Sequence, residues 1–190
     1  MRVIAGAQKG RRLHGPKGSG LRPTADRVKE ALFSILGGRV AGSRFLDLYA
    51  GTGAIGIEAL SRGARLVTFV ESDQTALRVL RANLAHCGLD TAAAIHACSA
   101  AAFLKHRAKA ALQHDLVFAD PPYQHGRLAE LWAALAETPA ITPGALIVLE
   151  HSSKSSVPSV REHLNLLRQY RYGDTTLSVF EVAAQGTRTA

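Results

Sequence analysis

The sequence predicts a doubly wound α/β fold, a mostly parallel, seven-stranded sheet with helices on both faces. Three observations carry that prediction. From Phe45 onward, short apolar runs alternate with helix-length amphipathic segments across short turns, the pattern of successive βαβ units. Phe45 to Leu60, FLDLYAGTGAIGIEAL, is a strand, a glycine-rich turn and a helix, the arrangement that holds nucleotide-like ligands. Asp47, Glu71 and Asp120 each close a strand, so all three should face one crevice beyond the carboxyl ends of the sheet.

In chain order, Met1 to Gly20 reads as a glycine-broken basic hairpin or extended arm. Val3-Ile4-Ala5 and Arg11-Arg12-Leu13 are its short strand pieces, and Pro16 to Gly20 is a turn. Arg22-Pro23-Thr24 then starts a helix with Thr24 as N-cap and Asp26 in the first turn. Val28, Ala31, Leu32, Ile35 and Leu36 recur at helical spacing until Gly37-Gly38 stops it. Beyond the glycine turn, strands are expected over 66–70, 92–97, 116–119 and 145–149, with helices over 75–86, 100–111, 128–135 and 157–164. Leu166 to Tyr172 and Thr175 to Val182 form a closing antiparallel pair around Gly173-Asp174. The organisation is an arm over 1–22, a ligand-binding domain over 23–184 and a flexible tail over 185–190.

Charge is concentrated at one end. Ten Lys/Arg residues lie between Met1 and Arg44 against only Asp26 and Glu30, which accounts for the entire net charge of +8. Such a face attracts a polyanion, nucleic acid above all; a solubilising basic tail is the alternative. Arg2, Lys9, Arg11, Arg12, Lys17, Arg22 and Arg27 are the candidate contacts. No run approaches the ~18 apolar residues of a membrane span, and no signal-like segment opens the chain, so a cytoplasmic protein is expected. Cys87 and Cys98 lack C-x-x-C or metal-ligand spacing, and the eight histidines are scattered, which gives no case for a metal.

Asp47 bears on which ligand the turn takes. Beside a pyrophosphate a carboxylate would be repulsive, whereas S-adenosylmethionine offers an ammonium and a sulfonium that an acid can stabilise. Alternatively, Asp47 caps the turn amides. Glu71 lies 20 residues after Gly51, the offset of an acid that accepts ribose hydroxyls, and Asp73 fits a helix N-cap better than a ligand role. Arg22, Thr24 and Arg27 lie at the ligand-proximal end of their helix, within reach of a cofactor carboxylate or an RNA phosphate.

Asp120-Pro121-Pro122-Tyr123 follows the buried run Leu116 to Ala119. The Asp120 carboxylate and the Pro121 carbonyl match the two hydrogens of an exocyclic amine on a nucleobase. Accepting both would favour pyramidalisation of a conjugated nitrogen and stabilise the positive charge it develops as it attacks a methyl group. Tyr123 adds a flat face for stacking.

FLDLYAGTGAIGIEAL resembles motif I of class I S-adenosylmethionine-dependent methyltransferases, and DPPY resembles their amino-methylating motif IV. The opening, RVIAGAQKGRRLHGPKGSGLRPTADRVKEALFSIL, with VESDQTAL at Val70 to Leu77, is similar to the bacterial small-subunit rRNA guanine-N2 methyltransferase family. The resemblance implies cofactor contacts near Asp47, in the turn of Gly51, Thr52, Gly53 and Gly56, and at Glu71, and base contacts at Asp120, Pro121 and Tyr123; Thr24 and Tyr49 are further candidate cofactor contacts. Where many class I enzymes bind adenine with an acid or amide, this chain has Ala97-Cys98-Ser99-Ala100, and Ser99 is the candidate substitute. The implied activity is methylation of a guanine N2 in 16S rRNA by a monomer acting on a 30S assembly particle. A DNA adenine-N6 methyltransferase would use the same motifs but generally needs a target-recognition region, for which there is no spare block; a non-catalytic RNA-binding module would have a broken glycine turn or a lost DPPY.

Overall fold

Alternation along the central strands sorts the core into two layers, one on each face of the sheet. The computed structural model describes residues 1–15, 23–107, 113–122, 127–155, 157, 160–161 and 163–183. Its parallel strands are β1 (Arg44–Leu48), β2 (Leu66–Glu71), β3 (Ala93–Ala97), β4 (His114–Ala119) and β5 (Ile141–Ser152). The helices are α1 (Pro23–Leu36), α2 (Ala54–Ser61), α3 (Gln74–Cys87), α4 (Ala100–Arg107) and α5 (Arg127–Glu137). Phe45, Phe69, Phe118 and Val148 point to the face covered by α1, α2 and α3, where they meet Leu32, Phe33, Ile57 and Leu80. Leu46, Leu48, Val117 and Ile147, one residue out of phase, meet Phe103, Leu104, Leu131 and Trp132 on the α4 and α5 side. Each fully buried phenylalanine or leucine contributes about 1.5 to 3 kcal/mol.

The sheet is completed by β6 (Val160–Arg161), β7 (Leu164–Tyr172) and β8 (Thr175–Val182), in the order β3-β2-β1-β4-β5-β8-β7-β6. β5 runs antiparallel to β8, and β8 to β7. All seven expected strands are present. The eighth, two-residue strand overturns the expected helix over 157–164: Val160 pairs with Asn165 and Arg161 with Leu164, because the edge of β7 offers backbone partners that outweigh a short helical pattern. A second correction concerns α1, which begins at Pro23 and so takes Thr24 into its first turn instead of at the N-cap; proline's fixed φ suits the first helical position. Residues 108–111 of the expected fourth helix lie outside the described residues. β1 is flanked by β2 and by β4, so the order of connections reverses between β1 and β4, and a crevice opens there beyond the strand ends.

Near its start the chain turns back on itself. Arg2 pairs antiparallel with Arg12, the Val3 N–H donates to the Arg11 carbonyl (2.9 Å), and the Gly10 N–H donates to the Val3 carbonyl (2.9 Å). Val3 and Leu13 are buried in the same core layer as α1 and α3. Polar contacts complete the attachment. The Glu58 carboxylate accepts from the Ile4 and Ala5 N–H groups (2.7 and 3.0 Å), the Ser61 hydroxyl accepts from Gln8 N–H (2.9 Å), and the Asn83 amide bridges both backbone groups of His14. Lys29 donates to the Arg2 carbonyl (2.6 Å) and pairs with Glu58 at 3.7 Å. The hairpin therefore shares the domain's core.

Candidate active site

The turn after β1 is built by its conformations and by two carboxylates. Tyr49 (φ 63°), Gly51 (φ 54°) and Gly53 (φ 84°) are left-handed, and Tyr49 is the non-glycine residue with positive φ among the described residues. Such a conformation costs a non-glycine residue roughly 1 to 2 kcal/mol, so the surroundings must impose it. A Cβ on Gly53 would lie 2.2 Å from Leu80 Cδ1, whereas one on Gly51 would project into open space, where a ligand can approach the backbone. Gly56 packs so closely on the Phe69 ring that a Cβ would lie 2.2 Å from it. The Gly56 N–H donates to Asp47 Oδ2 (2.9 Å) and the Gly51 N–H to Glu71 Oε2 (2.8 Å). Glu71 Oε1 also accepts from the Ser72 and Asp73 N–H groups, both at 2.7 Å. Asp47 thus does cap the helix that follows the turn, and Glu71 staples the end of β2 to it. Asp73 caps α3 through the Ala76 N–H (2.7 Å).

A crevice of about 250 Å³ lies against this turn. Asp47, Tyr49, Gly51, Thr52, Phe118, Asp120 and Glu150 line its sheet side, and Met1, Val28, Lys29 and Leu32 its opposite wall. Strand register explains the convergence. Leu48 pairs with Ala119 and Ala119 with Leu149, so Tyr49, Asp120 and Glu150 occupy the next rung on three neighbouring strands, just past the ends of β1 and β4 and within β5. The acid-and-proline corner and the glycine bend therefore share one end of the sheet on adjacent strands.

Burial dominates the electrostatics. Asp47, 1% exposed, is pushed up to about 7 by desolvation, opposed by the Gly56 hydrogen bond and reinforced by the charges of Asp120 and Glu71. Asp120 is exposed on its crevice side, but the protein behind it desolvates the carboxyl and raises it to about 6. Half-buried Glu150 is raised to about 8, first by desolvation and then by the Asp120 charge. Lys29 is lowered by desolvation, which its attraction to Glu58 opposes. A cavity lined by acids that resist ionisation favours an incoming cation, because its charge relieves the desolvation penalty. Pro121 is buried behind Asp120, and Pro122 is exposed.

The other sequence candidates distribute unevenly. Ser99 is exposed, its hydroxyl accepts from the Ala102 N–H (3.2 Å) at the start of α4, and it is not among the residues that line the crevice. Arg2, Lys9 and Arg12 are exposed on the hairpin and Arg27 on α1; the Arg11 guanidinium donates to the His86 carbonyl (2.6 Å). Tyr123, Lys17 and Arg22 lie outside the described residues. Glu150, Lys29 and Met1 belong to the crevice without having been singled out from sequence. Glu150 carried a usable signal, an acid that follows the apolar run 145–149 as Asp120 follows 116–119, although β5 itself continues to Ser152; Lys29 and Met1 reach the site only through packing of α1 and the hairpin. Among the described residues no cluster of His, Cys, Asp or Glu could hold a metal ion.

Residues 1–181 match the family described as conserved hypothetical protein 95. The chain is 36% identical over 186 residues to ribosomal RNA small subunit methyltransferase D of Escherichia coli strain K12, covering 98% of this chain and 92% of that one. It is 37% identical over 183 residues to the protein of the same name from Haemophilus influenzae, covering 95% and 93%. A solved structure described as a methyltransferase from Escherichia coli superposes with a TM-score of 0.86 at 35% identity, covering 97% of this chain and 99% of that one. This chain thus belongs to the conserved hypothetical protein 95 family and is similar over nearly its whole length to ribosomal RNA small subunit methyltransferase D proteins.

Proposed function

We propose that this chain transfers a methyl group from S-adenosylmethionine to the exocyclic N2 of a guanine in small-subunit ribosomal RNA. The observation that carries the reading is the adjacency of the Gly51 to Gly56 turn and the Asp120-Pro121 corner on β1 and β4 at the reversal of strand order. The residues present fit the cofactor: open space fronts Gly51, and the crevice beside it is lined by carboxyls. When bound, S-adenosylmethionine supplies an electrophilic methyl group on a sulfonium. Asp47 and the turn from Tyr49 to Gly56 would hold its charged end. Glu71 would accept its ribose hydroxyls with the lone pairs that the turn amides leave over. Thr24 and Ser99 are the remaining candidate cofactor contacts.

Asp120 and the Pro121 carbonyl would accept the two hydrogens of guanine N2, orient its lone pair and stabilise the charge that grows there. With its carboxyl raised to about 6, Asp120 is a better proton acceptor than an ordinary aspartate and can take the N2 proton, directly or through water. Tyr123 would stack on the base once it is unstacked, a step that costs a few kcal/mol. Arg2, Lys9, Arg12 and Arg27 offer phosphate contacts from the surface, with Arg11, Lys17 and Arg22 as further candidates. The natural substrate in this reading is a 30S assembly particle, met by a single copy of the chain, with the hairpin as its RNA-gripping part.

Methyl transfer from labelled S-adenosylmethionine to 30S particles, naked 16S rRNA and duplex DNA tests this directly. N2-methylguanosine in the ribosomal substrates is expected. N6-methyladenine in the DNA, or no product in any of the three, contradicts the proposal.

A further inference from the structure

Glu150 is a crevice acid that the mechanism above does not use. It lies in β5 two residues before the strand ends, one rung beyond the Ala119 to Leu149 pair, so continuing the register sets it opposite Asp120, about 5 Å away between backbones. Two-residue alternation places its side chain on the same sheet face as Val148, the face from which Asp47, Phe118 and Asp120 line the crevice. Among the described residues its carboxyl has no hydrogen-bond partner, although it is half-buried. Half-buried at the crevice wall and without a partner in the chain, that carboxyl is free to pair with a ligand placed there.

We propose that Glu150 reads the N1–H and O6 edge of the target guanine, and so selects the base whose N2 is presented to Asp120. The inference rests on the guanine-N2 reading and deepens it. On guanine the N1–H lies next to the exocyclic amine, so a base whose N2 hydrogens meet Asp120 and the Pro121 carbonyl can turn N1–H and O6 toward the neighbouring strand β5. Glu150 faces the crevice from that strand. The charged groups that line the crevice with it are Asp120 beyond β4, Asp47 on β1 and Lys29 on α1, and Lys29 is already paired with Glu58. Burial, and after it the neighbouring Asp120 charge, raise the Glu150 carboxyl to about 8, which favours its neutral form. A neutral carboxyl is self-complementary to a lactam: its carbonyl accepts the N1–H while its hydroxyl donates to O6. Adenine has no lactam: with its amine at Asp120 it presents an acceptor nitrogen and then a C–H, so the carboxyl makes one hydrogen bond to it where guanine makes two.

The test uses the full chain and 30S particles carrying 16S rRNA in which the methylated guanine is either retained or replaced by 2-aminopurine. That analogue keeps the amine and lacks both N1–H and O6. The wild type should prefer guanine in kcat/KM by on the order of 10²-fold, the scale expected when a site loses matched hydrogen bonds. Glu150→Ala should lower kcat/KM on guanine more than on 2-aminopurine and bring the ratio toward one. Glu150→Gln, whose amide offers the same acceptor and donor as a neutral acid, should keep most of the preference. A guanine preference that persists undiminished in Glu150→Ala, or a Glu150→Gln variant that loses it as fully as alanine does, overturns the inference. A wild-type chain that methylates neither substrate at N2 instead overturns the guanine-N2 reading, and the two failures are thereby distinguished.

Discussion

Glu58 and the crevice acids are carboxylates of one chemistry put to opposite uses. Glu58, fully buried, is saturated: two hairpin N–H groups, the Arg62 guanidinium at 2.8 Å and the Lys29 ammonium at 3.7 Å all converge on it. Asp120 and Glu150 have no hydrogen-bond partner among the described residues, and both carboxyls are raised. The contrast teaches where this fold holds itself together and where it stays ready for a ligand. At the hairpin, the desolvation of the acid is offset within the chain. At the crevice it is left open, to be relieved by a cation, an amine or a base.

The contrast breaks first at Glu58. Glu58→Ala leaves Lys29 buried without its counter-charge and strands the Ile4 and Ala5 amides, a loss of about 3 to 5 kcal/mol that lowers Tm by roughly 10 °C. Calorimetry checks it, and a change below about 1 kcal/mol would mean that the hairpin is held by its apolar contacts alone. Asp120→Ala should do the reverse, reducing kcat by about 10³-fold, near 4 kcal/mol, with cofactor affinity within about 1 kcal/mol of the original and no fall in Tm. Single-turnover kinetics and titration calorimetry separate those effects.

Gly6→Ala sharpens the same comparison on the hairpin side. Its Cβ would lie 1.8 Å from the Ser61 carbonyl at φ +82°, so about 2 to 3 kcal/mol of stability should be lost, read from denaturant midpoints. The crevice side answers to pH. An acid raised in the folded state binds its proton more tightly there than in the unfolded chain, so stability falls as pH rises from the unfolded value near 4 through about 8 for Glu150. Glu150→Gln, which carries no charge, should therefore gain on the wild type by about 1 to 2 kcal/mol between about pH 5 and pH 8.5, after allowance for solvent screening. Parallel melts at the two pH values measure that difference. The smallest effect is expected at the surface: Lys9→Ala with Arg12→Ala should make the salt dependence of rRNA binding shallower, by about 0.7 to 0.9 in logarithmic slope for each phosphate no longer neutralised, while methyl transfer at saturating RNA is preserved.

Local chemistry made much of the crevice legible in the sequence. The glycine turn, the acid 20 residues on, the Asp73 cap and the DPP corner each announce themselves within a few residues. Glu150 needed strand order, because only the pairing of β4 with β5 sets it beside Asp120. The hairpin attachment was less legible still. Glu58 and Asn83 meet their partners across 54 and 69 residues, and a buried glutamate inside a short helix looks in sequence like any solvated one. Edge pairing at Val160–Arg161 was hidden for a similar reason: helical spacing is local, whereas the free edge of β7 exists only once the sheet has formed.

The most direct measurement maps methylated nucleotides in small-subunit rRNA from cells that lack this chain, then adds wild-type protein or the Asp120→Ala variant to their 30S particles. The account predicts one guanine without its N2 methyl group, restored by the wild type and left bare by the variant. An unchanged methylation map, or restoration by Asp120→Ala at the wild-type rate, would contradict it.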